Sequence, residues 1–67
     1  MTAQADDLLT VAEVAEILRK PAGTLRYWRS INRGPRSFRV GSTVVYERAD
    51  VAAYLEQQKN ETERGGA

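Results

Sequence analysis

Pro21 constrains this chain more than any other residue. It stands between two helix-patterned runs, "TVAEVAEIL" and "AGTLRYWRS", and only "RKP" joins them. A proline inside a helix removes a hydrogen bond and clashes with the preceding turn, so the first run ends before it. Its fixed φ suits the first turn of a new helix, where a missing N–H is no loss. A second helix is therefore predicted from Pro21 through about Ser30. So short a connection forces the two helices to pack through Leu18 and Leu25 at a steep angle.

The first helix has a legible start. Thr10 is placed at the N-cap and Glu13 three residues on, which is a capping box, and Leu9 and Val14 are spaced for a hydrophobic staple. Val11, Val14, Ala15 and Leu18 recur at helical spacing and define one apolar face. On the second helix, Leu25 and Trp28 share a side with Pro21. Gly23, Arg26, Tyr27 and Ser30 fall opposite, with Ala22, Thr24 and Arg29 on the flanks. Two helices joined this tightly make a helix-turn-helix motif.

"INRGPRS" reads as loop, since Gly34-Pro35 cannot continue a helix. "FRV" and "VVY" then flank "GST", the pattern of a β-hairpin. Two registers compete. A two-residue Gly41-Ser42 turn has the better turn chemistry, because glycine suits the first central position of a type II′ turn. A three-residue loop places Phe38, Val40, Val44 and Tyr46 on one face. Burial of four apolar groups favours the second. "ERADVAAYLEQQ" is predicted to be a third helix with Val51, Tyr54 and Leu55 inward and Asp50 in its first turn, where the helix dipole favours an anion. The predicted fold is mainly α with a small β-hairpin (α+β): helix, short turn, helix, two-stranded hairpin, helix. Residues 1–7 are expected to be a flexible N-terminus, 8–58 one domain, and 59–67 a disordered polar tail. The predicted core is Val14, Leu18, Leu25, Trp28, Phe38, Val40, Val51, Tyr54 and Leu55.

With 67 residues and neither Cys nor His, the chain has no disulfides and lacks the usual soft metal ligands. No stretch approaches the ~20 apolar residues of a membrane span, and the acidic start is wrong for a secretory signal. A cytoplasmic location is expected. Catalysis finds no purchase: there is no nucleophile with a positioned base and no Gly-rich phosphate loop. The carboxylate pairs Asp6/Asp7 and Glu13/Glu16 read as solvated or helix-start charge. No catalytic residue, cofactor or metal is predicted.

The net charge of +1 conceals its distribution. Residues 19–48 hold eight cations against one acid, a net of +7, while the remainder holds two cations against eight acids, a net of −6. A basic middle between acidic ends is the footprint of a polyanion-binding surface. The major groove of B-DNA admits one α-helix, and the second helix of a helix-turn-helix enters it. The candidate contacts there and in the preceding turn are Arg19, Lys20, Gly23, Thr24, Arg26, Tyr27, Arg29 and Ser30. Arg26 can grip a guanine edge or a phosphate. Tyr27 can reach a phosphate or sugar, and Gly23 lets the helix start approach closely. Arg29 rides the edge and divides evenly between contact and rim. The hairpin beside this helix is read as a wing meeting the backbone or minor groove through Arg36, Arg39, Ser42 and Thr43. Arg33 reads as loop solubility, and Arg48 as a partner for Glu47 or Asp50.

"LLTVAEVAEIL…TLRYW" resembles the helix-turn-helix of MerR-like DNA-binding domains. "GPRSFRVGSTVVYERADVAAYL" resembles the wing and closing helix of the small excisionase-like proteins in that superfamily. The resemblance covers about residues 8–56. It implies a winged helix-turn-helix that binds double-stranded DNA without catalysis, with Arg26 and Tyr27 as recognition-helix contacts and Arg39 as a wing contact. It implies two roles: a phage excisionase, or recombination directionality factor, that bends DNA beside an attachment site and directs an integrase, or a small regulator at a promoter. The chain departs from the family's pattern at Pro21, where Ser or Thr is common, and at Ser42 and Thr43, where basic residues are common. MerR-type activators carry a dimerisation helix and effector domain after this region. Their absence here makes a small-molecule effector unexpected and an architectural role favoured. Neighbouring copies on DNA and a phage integrase are the expected partners. An RNA-binding module lacks the aromatic platform it needs apart from Tyr27. A protein-interaction adaptor would use the Val44/Tyr46 side or the acidic tail.

Overall fold

A computed structural model describes residues 7–66 of the chain. The expected N-terminal segment falls outside the described residues except for Asp7, as does Ala67 of the tail. The order of elements is β1 (Leu8–Thr10), α1 (Val11–Leu18), α2 (Ala22–Ser30), β2 (Phe38–Val40), β3 (Thr43–Glu47) and α3 (Arg48–Thr62). The architecture is mainly α with a small antiparallel sheet, arranged as a winged helix-turn-helix.

Thr10 starts α1 with both halves of the capping box. The Glu13 N–H donates to Thr10 Oγ1 at 3.1 Å, and the Thr10 N–H donates to Glu13 Oε1 at 2.8 Å. Two of the donors that a helix start orphans are thereby satisfied. Leu9 and Val14, spaced for a staple, are both buried. The helix is closed at Arg19, whose φ of +57° is left-handed. The Lys20 N–H then bonds the Ala15 carbonyl at 3.0 Å and the Arg19 N–H the Glu16 carbonyl at 3.2 Å. That pair of bonds is a Schellman motif, here built on arginine in the position glycine normally takes.

Pro21 sits at the N-cap of α2, one position before the first helical turn predicted for it, and no side chain caps that end. The far end repeats the closure of α1. Asn32 is left-handed with φ +60°. The Arg33 N–H bonds the Trp28 carbonyl at 2.7 Å and the Asn32 N–H the Arg29 carbonyl at 3.2 Å. Gly34 follows with φ +81°, and a Cβ there would come within 3.0 Å of Trp28 Cε3. Only glycine lets the loop turn back over the Trp28 ring.

The sheet differs from the sequence expectation in two ways. Leu8–Thr10 forms a third strand, so the order is β1-β3-β2 with β3 central. The hairpin has the two-residue turn: Val40 pairs with Thr43, Arg39 with Val44 and Phe38 with Val45. Of the turn residues Gly41 and Ser42, Gly41 alone has positive φ, at +63°, as a type II′ turn requires. Leu9 pairs with Tyr46. Since paired residues share a face, one face carries Leu9, Tyr46, Val44 and Arg39, and the other carries Val45, Phe38, Val40 and Thr43.

The core sits under the first of those faces. Leu9, Val14, Ala15, Leu25, Tyr46 and Val51 form the buried cluster, and Val11, Leu18, Ala22 and Val44 pack against it. Three predicted core residues are corrected: Phe38, Val40 and Leu55 are 39%, 54% and 41% exposed. The two-residue turn puts Phe38 and Val40 on the opposite face from Tyr46. β1 supplies Leu9 in their stead. Trp28 and Tyr54 are half-buried and lie outside the main cluster, packed on each other with ring centroids 6.0 Å apart. α3 continues to Thr62, so residues 59–62, expected in the tail, are helical. Among the described residues no helix is long and apolar enough to cross a membrane.

Candidate nucleic-acid interface

The outer face of α2 is built by the burial of its inner one. Leu25 is 1% exposed and fixes the helix's rotation, so Arg26 and Tyr27 turn away from the core, with Tyr27 62% exposed. The Arg26 side chain forms no ion pair or hydrogen bond among the described residues. Gly23 stands in the first turn, and a Cβ there would meet nothing within 4 Å. Its glycine is not demanded by the protein's own packing. Thr24 is half-buried, and its N–H bonds the Pro21 carbonyl at 3.0 Å.

Ser30 Oγ donates to the Tyr27 carbonyl at 2.6 Å. The hydroxyl proton is committed within the helix, which leaves Ser30 an acceptor rather than a donor toward a phosphate. Arg29 Nε donates to Ser37 Oγ at 3.0 Å. Arg29 therefore ties α2 to the root of the wing, a structural task that its edge position did not reveal. Arg29 also stands near Tyr46. Burial pushes the Tyr46 phenol above its usual pKa of 10.0, and the Arg29 charge pulls it partly back.

Of the two wing-side cations, one lies on a strand and one in the loop before it. Arg39 shares the face of Val44 and Tyr46, the face that packs on the helices, and is itself exposed. Arg36 is exposed in the loop before β2. Together with Arg29, Asn32, Arg33 and Ser37 it lines a concavity of about 340 Å³ at the C-terminal end of α2. Asn32 belongs to this group and was not singled out from the sequence. Its signal was a left-handed-tolerant residue just before Gly34-Pro35. Ser42 and Thr43 lie exposed at the far end of the hairpin. Arg19 and Lys20, also exposed, lie at the opposite end of α2 from the concavity, about 13 Å away along a nine-residue helix. Arg48 makes no ion pair with Glu47 or Asp50.

The surface proposed for a protein adaptor is partly lost: Tyr46 is 2% exposed, so it serves the core. Among the described residues no group of three His, Cys, Asp or Glu side chains could hold a metal ion.

The sequence model of the helix-turn-helix domain family matches residues 8–59. This chain belongs to the helix-turn-helix domain family. The match begins at β1 and runs into α3, so the helix pair, the loop and the wing all fall inside it. Membership supports double-stranded DNA as the partner and α2 as the helix of the motif that stands second. No curated protein and no solved structure matches the chain.

Proposed function

We propose that this helix-turn-helix domain binds double-stranded DNA sequence-specifically, with α2 in the major groove and the β2–β3 wing on the neighbouring backbone or minor groove. The observation that carries the reading is the face of α2. Arg26 and Tyr27 project beside an unobstructed Gly23, and the Arg26 side chain has no partner among the described residues. A guanidinium held out on a helix placed this way suits the guanine O6/N7 edge. Arg39 and Arg36 extend the cationic surface onto the wing and its root.

Within that reading, the chain acts as an excisionase. Its likeness to the small excisionase-like proteins supports this role. One helix and one wing span little DNA, which favours several copies on neighbouring sites. Bound beside an attachment site, such copies bend the DNA and direct an integrase toward excision. Arg26→Ala tests the recognition face. The side chain is exposed and has no partner among the described residues, so the fold should keep its stability within about 0.5 kcal/mol. Binding should weaken by roughly 1–3 kcal/mol and lose discrimination at one base pair. A folded variant that binds like the parent would remove α2 from the groove. Footprinting across the DNA flanking its own gene tests the role. Protection should appear as adjacent repeats beside an attachment core. Protection over a promoter alone would make it a transcription regulator, and full-affinity occupancy by one isolated protomer would rule out cooperative assembly.

A further inference from the structure

The loop that joins α2 to β2 gathers three arginines around one hollow. Arg29, Arg33 and Arg36, with Asn32 and Ser37, line the 340 Å³ concavity, and no acidic side chain enters it. All three arginines are exposed, and none forms an ion pair within the described chain. Like charges around a shared hollow repel one another until an anion joins them.

The loop backbone and one of the arginines are held in place. Arg29 Nε is held by Ser37 Oγ at 3.0 Å, and the Arg33 N–H by the Trp28 carbonyl at 2.7 Å. Asn32 and Gly34 take left-handed φ values of +60° and +81°, and Pro35 is buried. With the backbone fixed in advance, the ordering cost on binding falls to that of the Arg33 and Arg36 side chains. Guanidinium groups match phosphate oxygens with paired N–H donors, which is the chemistry that suits arginine over lysine at such places. The hollow lies just past Ser30, at the end of the helix face assigned to DNA.

We propose that this hollow seats one backbone phosphate of the bound duplex. Arg33 and Arg36 grip it, Arg29 stands at the rim where Ser37 holds it, and Asn32 donates its amide. The loop 31–37 is then a contact element of its own, between the recognition helix and the wing, and Arg33 gains a role beyond solubility. The proposal rests on the DNA-binding reading above.

The test measures affinity of the full chain for a random-sequence duplex of about 20 base pairs across a KCl series. The parent is compared with Arg33→Gln, Arg36→Gln and the double variant. Each neutralised phosphate contributes about 0.9 to the slope of log affinity against log salt. If both arginines hold one phosphate, the double variant flattens the slope by about 0.9, and the single losses combine to less than their sum. A flattening of about 1.8 with additive losses means two separate phosphates and overturns the shared seat. Unchanged slopes beside a steep parent overturn the seat and leave the DNA reading standing; a flat parent slope overturns the DNA reading itself. A second arm separates the phosphate's source. The duplex should shift the backbone amide resonances of residues 32–34 and 36–37, while millimolar inorganic phosphate alone leaves them in place. Saturating shifts with inorganic phosphate alone would reassign the hollow to a free anion.

Discussion

Tyr27 and Trp28 are adjacent in sequence and opposite in circumstance. Tyr27 stands out from α2 at 62% exposure, and Trp28 lies half-buried against Tyr54 and the turn at Gly34. The helical step of about 100° per residue separates them, and burial of Leu25 decides which way each points. Arg29 shows how a charged residue can serve the fold first, through its bond to Ser37. Gly23 offers the sharpest test of a single residue on α2. Its added Cβ would meet nothing within 4 Å and its φ is not left-handed. Gly23→Ala should therefore stabilise the helix by about 0.5–1 kcal/mol, read from urea unfolding. The same methyl would stand where a DNA backbone approaches the helix start, so duplex affinity should fall several-fold in mobility shifts. A more stable variant with parental affinity would show that no backbone comes close there.

The elements are held at their ends as much as along their faces. α1 has a complete capping box, and Thr10→Ala should cost about 1 kcal/mol in thermal or urea unfolding. A loss below a few tenths of a kcal/mol would mean that β1 pairing, rather than the cap, starts the helix. Both α1 and α2 close on left-handed residues that are not glycine, Arg19 and Asn32. That choice hides the helix ends from a reading that looks for glycine there, and it leaves a cation in the turn between the helices. α3 buries only Val51, yet it runs past the apolar pattern that suggested its end. The Thr62 Oγ1 bond to the Gln58 carbonyl at 2.7 Å and the long Gln57–Glu61 contact at 3.4 Å accompany its last turns. Its polar, helix-favouring residues extend it without a core to pack on.

Over the whole molecule, the charge imbalance read along the chain becomes an arrangement in space. The +7 segment is the turn, α2, the loop, the wing and Arg48 at the start of α3, while Glu13 and Glu16 lie on α1 and Glu56 and Glu61 farther along α3. A surface of that kind should bind duplex DNA with a steep salt dependence. With about five phosphates neutralised, log affinity against log salt should slope near −4 to −5. A slope near zero would mean that the cations do not meet the backbone. The helix pair, its turn and the basic stretch were legible in the sequence because their signals are local: a cap, a proline and a period. The hairpin register was not. Counting apolar groups favoured Phe38 and Val40 beside Tyr46, but that count left out Leu9, which comes from the other end of the domain to fill the same face. The arginine-lined hollow was illegible for a similar reason, since Arg29 belongs to a helix and Arg33 and Arg36 to a loop that only the Gly34 turn folds back beside it.

By itself, the sequence determined the capping box, the helix break at Pro21, the opposed faces of α2 and the separation of charge. Each depends on residues a few positions apart, within reach of one turn of backbone. Tertiary structure alone decided the third strand, the hairpin register, the exposure of Phe38, Val40 and Leu55, and the tie from Arg29 to Ser37. Those depend on which distant segment arrives to cover a face, and in so small a core one arriving strand settles the inside for every neighbour.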